Sequence, residues 1–114
     1  MARDYVPDRG DIVWLQFDPQ AGHEQAGRRP AFVVSPRAYN RKVGLALFCP
    51  ISSRVKGYPF EVVLSESGKV RGAILSDQLK SLDWRARKAA RFDRASDDVV
   101  QEVTGLVLTL VDPE

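Results

Sequence analysis

"DIVWLQFDP", residues 11–19, decides what kind of chain this is. Four of its first seven residues are β-branched or aromatic and the run opens after Gly10, so Asp11 to Phe17 reads as a strand. Asp18-Pro19 ends it, because the residue before proline is pushed out of the helical region and proline has no amide for a ladder. The same pattern recurs outward. Ala31 to Ser35 (AFVVS) is a second strand, cut off by Pro36. Gly44 to Ile51 (GLALFCPI) is a third, and its unbroken apolar character predicts burial on both faces. Phe60 to Leu64 and Gly72 to Leu75 make two more, with a Ser/Gly turn region between them. Gln78 to Leu82 continues the sheet, and Arg87 to Phe92 adds a short strand. The last element differs. Ser96 precedes Asp97 and Asp98, an N-cap with acids in the first turn. Val99, Val100, Val103, Leu106, Val107, Leu110 and Val111 then recur at helical spacing. Gly105 costs such a helix roughly 1 kcal/mol and valines favour it little, so packing against the sheet has to hold it. The expectation is one domain over residues 1–114, mainly β: a small, strongly curved barrel or sheet capped by a C-terminal amphipathic helix.

Composition narrows the function. No apolar run approaches the roughly 20 residues of a membrane span, and the N-terminal residues lack the apolar region of a secretory signal. The single cysteine, Cys49, lies in an apolar run and reads as a reduced core thiol, which suits the cytoplasm. One His and one Cys exclude a zinc site built on imidazole and thiolate, and no dense acidic cluster suggests magnesium. No metal or other cofactor is expected. The net charge of +2 conceals an asymmetry, since residues 28–94 hold 15 of the 17 Lys and Arg against five acids, a net of +10. Such a segment attracts a polyanion, or merely solvates strand edges.

Between the first two strands stands "GHEQAGRRP", residues 22–30, which carries more convergent charge than a connecting loop needs. Gly22 and Gly27 relax the backbone, and Arg29 before Pro30 is biased to extended geometry that aims its side chain. Glu24 suits a general base, Arg29 a bidentate phosphate clamp, and His23 a group titrating near neutrality. These parts can cleave RNA without a metal: a base takes the proton of the ribose 2′-OH, which attacks the adjacent phosphorus. A fixed cation stabilises the crowded phosphorane, and the 5′-oxygen leaves with a proton. The bland alternative is a surface ion pair of Glu24 and Arg29 with a solvated His23.

The chain resembles the MazF/PemK-like toxins, mRNA interferases of type II toxin–antitoxin pairs, and within them MazF most. The resemblance is carried by a colinear series over residues 3–90. Arg3 to Asp11 follows RYVPD-GD with a local departure, Phe17 to Pro19 is FDP, and Gly22 to Pro30 is G-x-EQ-x-G-x-RP. Ser35 to Asn40 is SP…YN, Lys56 to Ser65 is KGYPFEVVLS, and Asp77 to Arg87 is DQ-x-KS-L-x-WRAR. The resemblance implies an SH3-like β-barrel of the CcdB/PemK-like kind with a C-terminal helix, acting as a homodimer with an RNA groove across the subunit interface. It implies ribosome-independent, metal-independent, sequence-specific cleavage of single-stranded mRNA to 2′,3′-cyclic phosphate and 5′-OH ends. It also implies a cognate MazE-like antitoxin whose acidic flexible tail fills the groove, with DNA reached only through the toxin–antitoxin complex.

By the same resemblance Glu24 is the candidate base, Arg29 the phosphorane stabiliser, and Ser52, with Ser53 as fallback, the hydroxyl at the scissile phosphate. The proton donor is His23, Arg29 or water. Arg28 replaces a histidine of some relatives, and Leu75 stands where the PemK-like branch has the Arg of an Arg–x–Asp pair. Asp77 is therefore expected to orient an Arg or read a base. Lys56, Lys80, Arg85 and Arg87 are expected to track phosphates, Gln25 and Gln78 to read base edges, and Tyr58 to stack on a base. Trp14 and Trp84 read as core or dimer interface. Two other readings are a CcdB-like toxin that poisons gyrase by binding and a nucleic-acid-binding barrel that does not cut.

Overall fold

A computed structural model describes residues 5–17, 27–64 and 68–112. The elements run β1 (Asp11–Gln16), β2 (Arg28–Val33), α1 (Arg37–Val43), β3 (Leu45–Ser52), β4 (Glu61–Val63), β5 (Ala73–Leu75), β6 (Lys80–Asp83), β7 (Ala90–Arg94) and α2 (Asp97–Val111). All ladders are antiparallel, in the order β4-β5-β3-β2-β1-β7, and β6 also pairs with β3. β3 is long enough to serve two partners, β6 along Leu45–Phe48 and β5 along Ile51–Ser52. That sharing turns a single sheet into a curled, barrel-like body, although no ladder joins its two edges, β4 and β7, among the described residues.

Alternation along the strands builds a core on each face of the sheet. Ile12, Phe32, Cys49 and Ile51 pack with Val62, Ile74 and the α2 residues Val103 and Val107. Val13, Leu15, Ala31, Val33, Ala46 and Phe48 pack on the other face with Val6 and Trp84. The two-sided burial expected of the third strand is therefore met. α2 begins as expected, with the Ser96 hydroxyl accepting the Val99 amide. Its last turn overhangs the sheet, however, leaving Leu108, Leu110 and Val111 exposed.

α1 was not anticipated, because RAYNRKV shows no apolar stripe. It is held by one polar residue instead. Asn40 is fully buried. Its amide donates to Pro7 O (2.8 Å) and Ser35 O (2.9 Å), its side-chain oxygen accepts the Ser35 hydroxyl, and its carbonyl accepts the Trp84 indole N–H (3.0 Å). Asp8 caps the helix from a distance, accepting the Arg37 amide at 2.9 Å, and Gly44 closes it at φ 83°. β6 and β7 each start two to three residues later than the apolar pattern suggested.

Candidate nucleic-acid groove

β1 and β2 pair through Leu15↔Arg29 and Gln16↔Arg28, and Phe17 N donates to Gly27 O at 2.8 Å. Residues 18–26 connect this last pair. His23, Glu24 and Gln25 belong to that connection and lie outside the described residues.

Arg28 and Arg29 are consecutive on a strand and so face opposite ways. Arg29 is exposed and lines a groove of about 490 Å³. Pro30, Pro50, Ile51 and Leu75 give the groove apolar surface, Ser52, Ser53 and Gln78 give it polar groups, and Arg54 and Arg71 add two further cations. Among the described lining residues, Arg29, Arg54 and Arg71 carry positive charge and none carries a carboxylate. The ladder explains the assembly: Ser52 lies opposite Ala73, and Ala31 opposite Pro50. Gly72 makes the approach possible, since a Cβ on it would stand 2.0 Å from the Ser52 carbonyl oxygen. Only glycine lets Arg71 be brought to this wall, and its φ of 118° points to the same residue type. The Ser52 hydroxyl accepts the Arg54 amide at 3.1 Å and donates to the Arg54 carbonyl at 3.3 Å, closing a local turn, while Ser53 is exposed.

The connection 53–60 borders the groove. The Glu61 carboxylate accepts the amides of Lys56 and Gly57, each at 3.0 Å. The side chain of Lys56 is exposed. Tyr58, half-exposed, donates its hydroxyl to Asp77 Oδ2, and its ring lies 6.3 Å from that of Phe60. The hydrogen bond to Asp77, then the charge of Asp77, raise the Tyr58 phenol above its ordinary value. Of the two roles expected of Asp77, orienting an Arg or reading a base, the structure shows neither partner: its Oδ2 accepts from Tyr58.

The remaining expected residues fall elsewhere. Arg28 lies 5.9 Å from the Trp14 ring and lines a second cleft with Tyr5, Trp84, Arg85 and Lys88. Arg85 lies over the Trp84 ring at 4.9 Å. Lys80 sits 5.9 Å from the Phe17 ring. Arg87 donates to the carbonyls of Gln16 and Phe17, so it braces the base of the β1–β2 connection rather than standing in the groove. The tryptophans divide: Trp84 is core, whereas Trp14 is 36% exposed and stacks on Phe92 at 4.7 Å. Cys49 is buried, and burial, helped by Asp77, pushes its thiol up to about 12. Such a thiol stays protonated and unreactive. Arg54 and Arg71 escaped the sequence reading. The basic bias of residues 28–94 contained them, but nothing short of the β3–β5 pairing singles them out.

With this geometry established, comparison with known proteins decides the family. Residues 8–110 match the PemK-like, MazF-like toxins of type II toxin–antitoxin systems. This chain belongs to that family. It is 47% identical over 112 residues to the endoribonuclease toxin MazF of Escherichia coli K12, covering 97% of this chain and 99% of that one. MazF (Form-I) from Deinococcus radiodurans matches with a TM-score of 0.86 at 55% identity, over 96% of this chain and 99% of the other. A chain of the MazE–MazF complex (Form-II) from the same organism gives 0.84 at 49% identity, over 95% and 97%. The curled antiparallel sheet with its C-terminal helix is the fold of these MazF structures. In this PemK/MazF-like chain Arg29 lines the groove at the start of β2.

Proposed function

We propose that this chain is the toxin of a type II toxin–antitoxin pair and an endoribonuclease that cuts single-stranded mRNA at a short sequence, without ribosome or metal. The observation that carries the reading is Arg29 in an open groove with Arg54, Arg71 and two serine residues, at the end of the connection that contains Glu24. Glu24 removes the proton from the ribose 2′-OH. The 2′-oxygen then bonds to phosphorus, the bond to the 5′-oxygen breaks, and that oxygen leaves with a proton, giving 2′,3′-cyclic phosphate and 5′-OH ends. Arg29 faces the developing phosphorane charge, and Ser53, whose side chain is exposed, is the better placed hydroxyl donor beside it. Arg29, Arg54 and Arg71 line the groove and supply fixed positive charge there.

A MazE-like antitoxin with an acidic tail suits the same groove by charge, and a MazF of Deinococcus radiodurans similar to this chain has been solved with MazE. The exposed apolar end of α2, at Leu108, Leu110 and Val111, supports a homodimer. Among the described residues no helix is long and apolar enough to cross a membrane. We place the protein in the cytoplasm.

The test is cleavage of a long mixed-sequence RNA in EDTA, with the new ends mapped by primer extension. Wild type is expected to cut at one short recurring sequence. Glu24→Ala and Arg29→Ala are expected to lose about 10²–10³-fold in rate while still binding RNA. Intact RNA with wild type, or equal cutting by both variants, refutes the reading.

A further inference from the structure

Asp77 sits just past β5, and its two carboxylate oxygens differ. Oδ2 accepts the Tyr58 hydroxyl. Oδ1 is buried without a hydrogen-bond partner among the described residues. A shielded, undonated carboxylate oxygen is costly, so Asp77 is held by what Oδ2 gains. Tyr58 lies in the connection between β3 and β4, which Glu61 already gathers through the amides of Lys56 and Gly57. That connection starts with Ser53 and Arg54, which form one wall of the groove. Leu75 and Gln78, on either side of Asp77, line the same groove from β5 and the segment after it. The Tyr58–Asp77 hydrogen bond therefore ties two groove-lining segments, the β3–β4 connection and the segment after β5, through side chains.

We propose that this tie is a latch that sets the separation of the groove walls and thereby the set of RNA sequences the toxin accepts. The inference rests on the ribonuclease reading and deepens it. Tyr58 and Asp77 are positioning residues. They act through Arg54, Ser53 and Gln78 and not on the reacting phosphate. Asp77 is unsuited to be a base, with one oxygen on a hydroxyl and the other closed to solvent.

The experiment compares wild type with Tyr58→Phe, Asp77→Ala, Asp77→Asn and the Tyr58→Phe/Asp77→Ala double variant in two readouts. The first is amide hydrogen exchange over residues 54–60, and the second is the primer-extension map of cut sites with KM and kcat at the preferred site. Tyr58→Phe keeps the ring and only loses the hydroxyl, so it stays informative even where Asp77→Ala folds poorly. Expected in Tyr58→Phe and Asp77→Ala are exchange about tenfold faster at Lys56 and Gly57, the size of one lost hydrogen bond, and cutting at sites one base removed from the preferred one. KM is expected to rise while kcat stays within about twofold. Asp77→Asn, which still accepts the hydroxyl, should behave as wild type, and the double variant no worse than a single. Tyr58→Phe indistinguishable from wild type in exchange and cut map overturns the latch. So does a fall in kcat with unchanged selectivity, or additive effects in the double variant. If wild type leaves RNA intact, the ribonuclease reading fails and with it the latch's role in RNA selection, while the exchange data still show whether the tie exists.

Discussion

Arg29 is the residue whose placement was easiest to read, because its neighbour fixes its direction: Pro30 biases Arg29 to extended geometry, and β2 carries that geometry into the groove. Arg71 shows the opposite case. It lies in a turn region without a pattern of its own, and only the close pass of Gly72 against the Ser52 carbonyl makes it part of the site. Tyr58 falls between the two. Its exposure is expected of a Gly-Tyr-Pro turn, but its partner, 19 residues away, is set by tertiary structure alone. That partnership gives a pH prediction. Asp77 raises the Tyr58 phenol, so the hydrogen bond is fully present below pH 10 and is lost as pH climbs through the raised value. Tyr5 is raised as well, by burial and its hydrogen bond to Asp11, so ultraviolet difference titration should show Tyr58 as the phenol ionising above 10 in wild type that is lost in Tyr58→Phe. In Asp77→Asn it should move back toward 10, and no movement would contradict the assignment.

Elements that announce themselves by period were legible, and those held by single polar contacts were not. β1, β2, β3 and α2 follow alternating, continuous or helical apolar patterns, and the structure places β1, β3 and α2 within a residue of the reading, while β2 starts three residues earlier. α1 has no such pattern. Its order comes from Asn40, whose buried side-chain amide joins the chain before β1 to Ser35 after β2 and whose backbone carbonyl accepts the Trp84 indole. The SP…YN and WRAR segments, met first as family signatures, thus include Ser35, Asn40 and Trp84 as parts of one structural lock. Asn40→Ala strands several buried partners and should lower stability by about 3 kcal/mol, read as the shift in a urea unfolding transition. A change below about 1 kcal/mol would show that the lock carries little of the fold's stability.

For the whole molecule, charge distribution and topology divide the work. The +10 of residues 28–94 was visible in the sequence, but it did not say which cations share a groove. Topology does, by folding β3 against both β2 and β5 so that Arg29, Arg54 and Arg71 line one opening while Arg28 and Arg85 line another. The central claim is that this groove and the Glu24 connection together use the ribose 2′-OH as the nucleophile. The most direct test takes an oligonucleotide bearing the mapped cut sequence and replaces the nucleotide 5′ to the scissile phosphate with its 2′-deoxy form. The account predicts tight binding with no cleavage at that bond, and a cyclic phosphate terminus from the all-RNA control. Cleavage of the deoxy-substituted strand at an undiminished rate would contradict it.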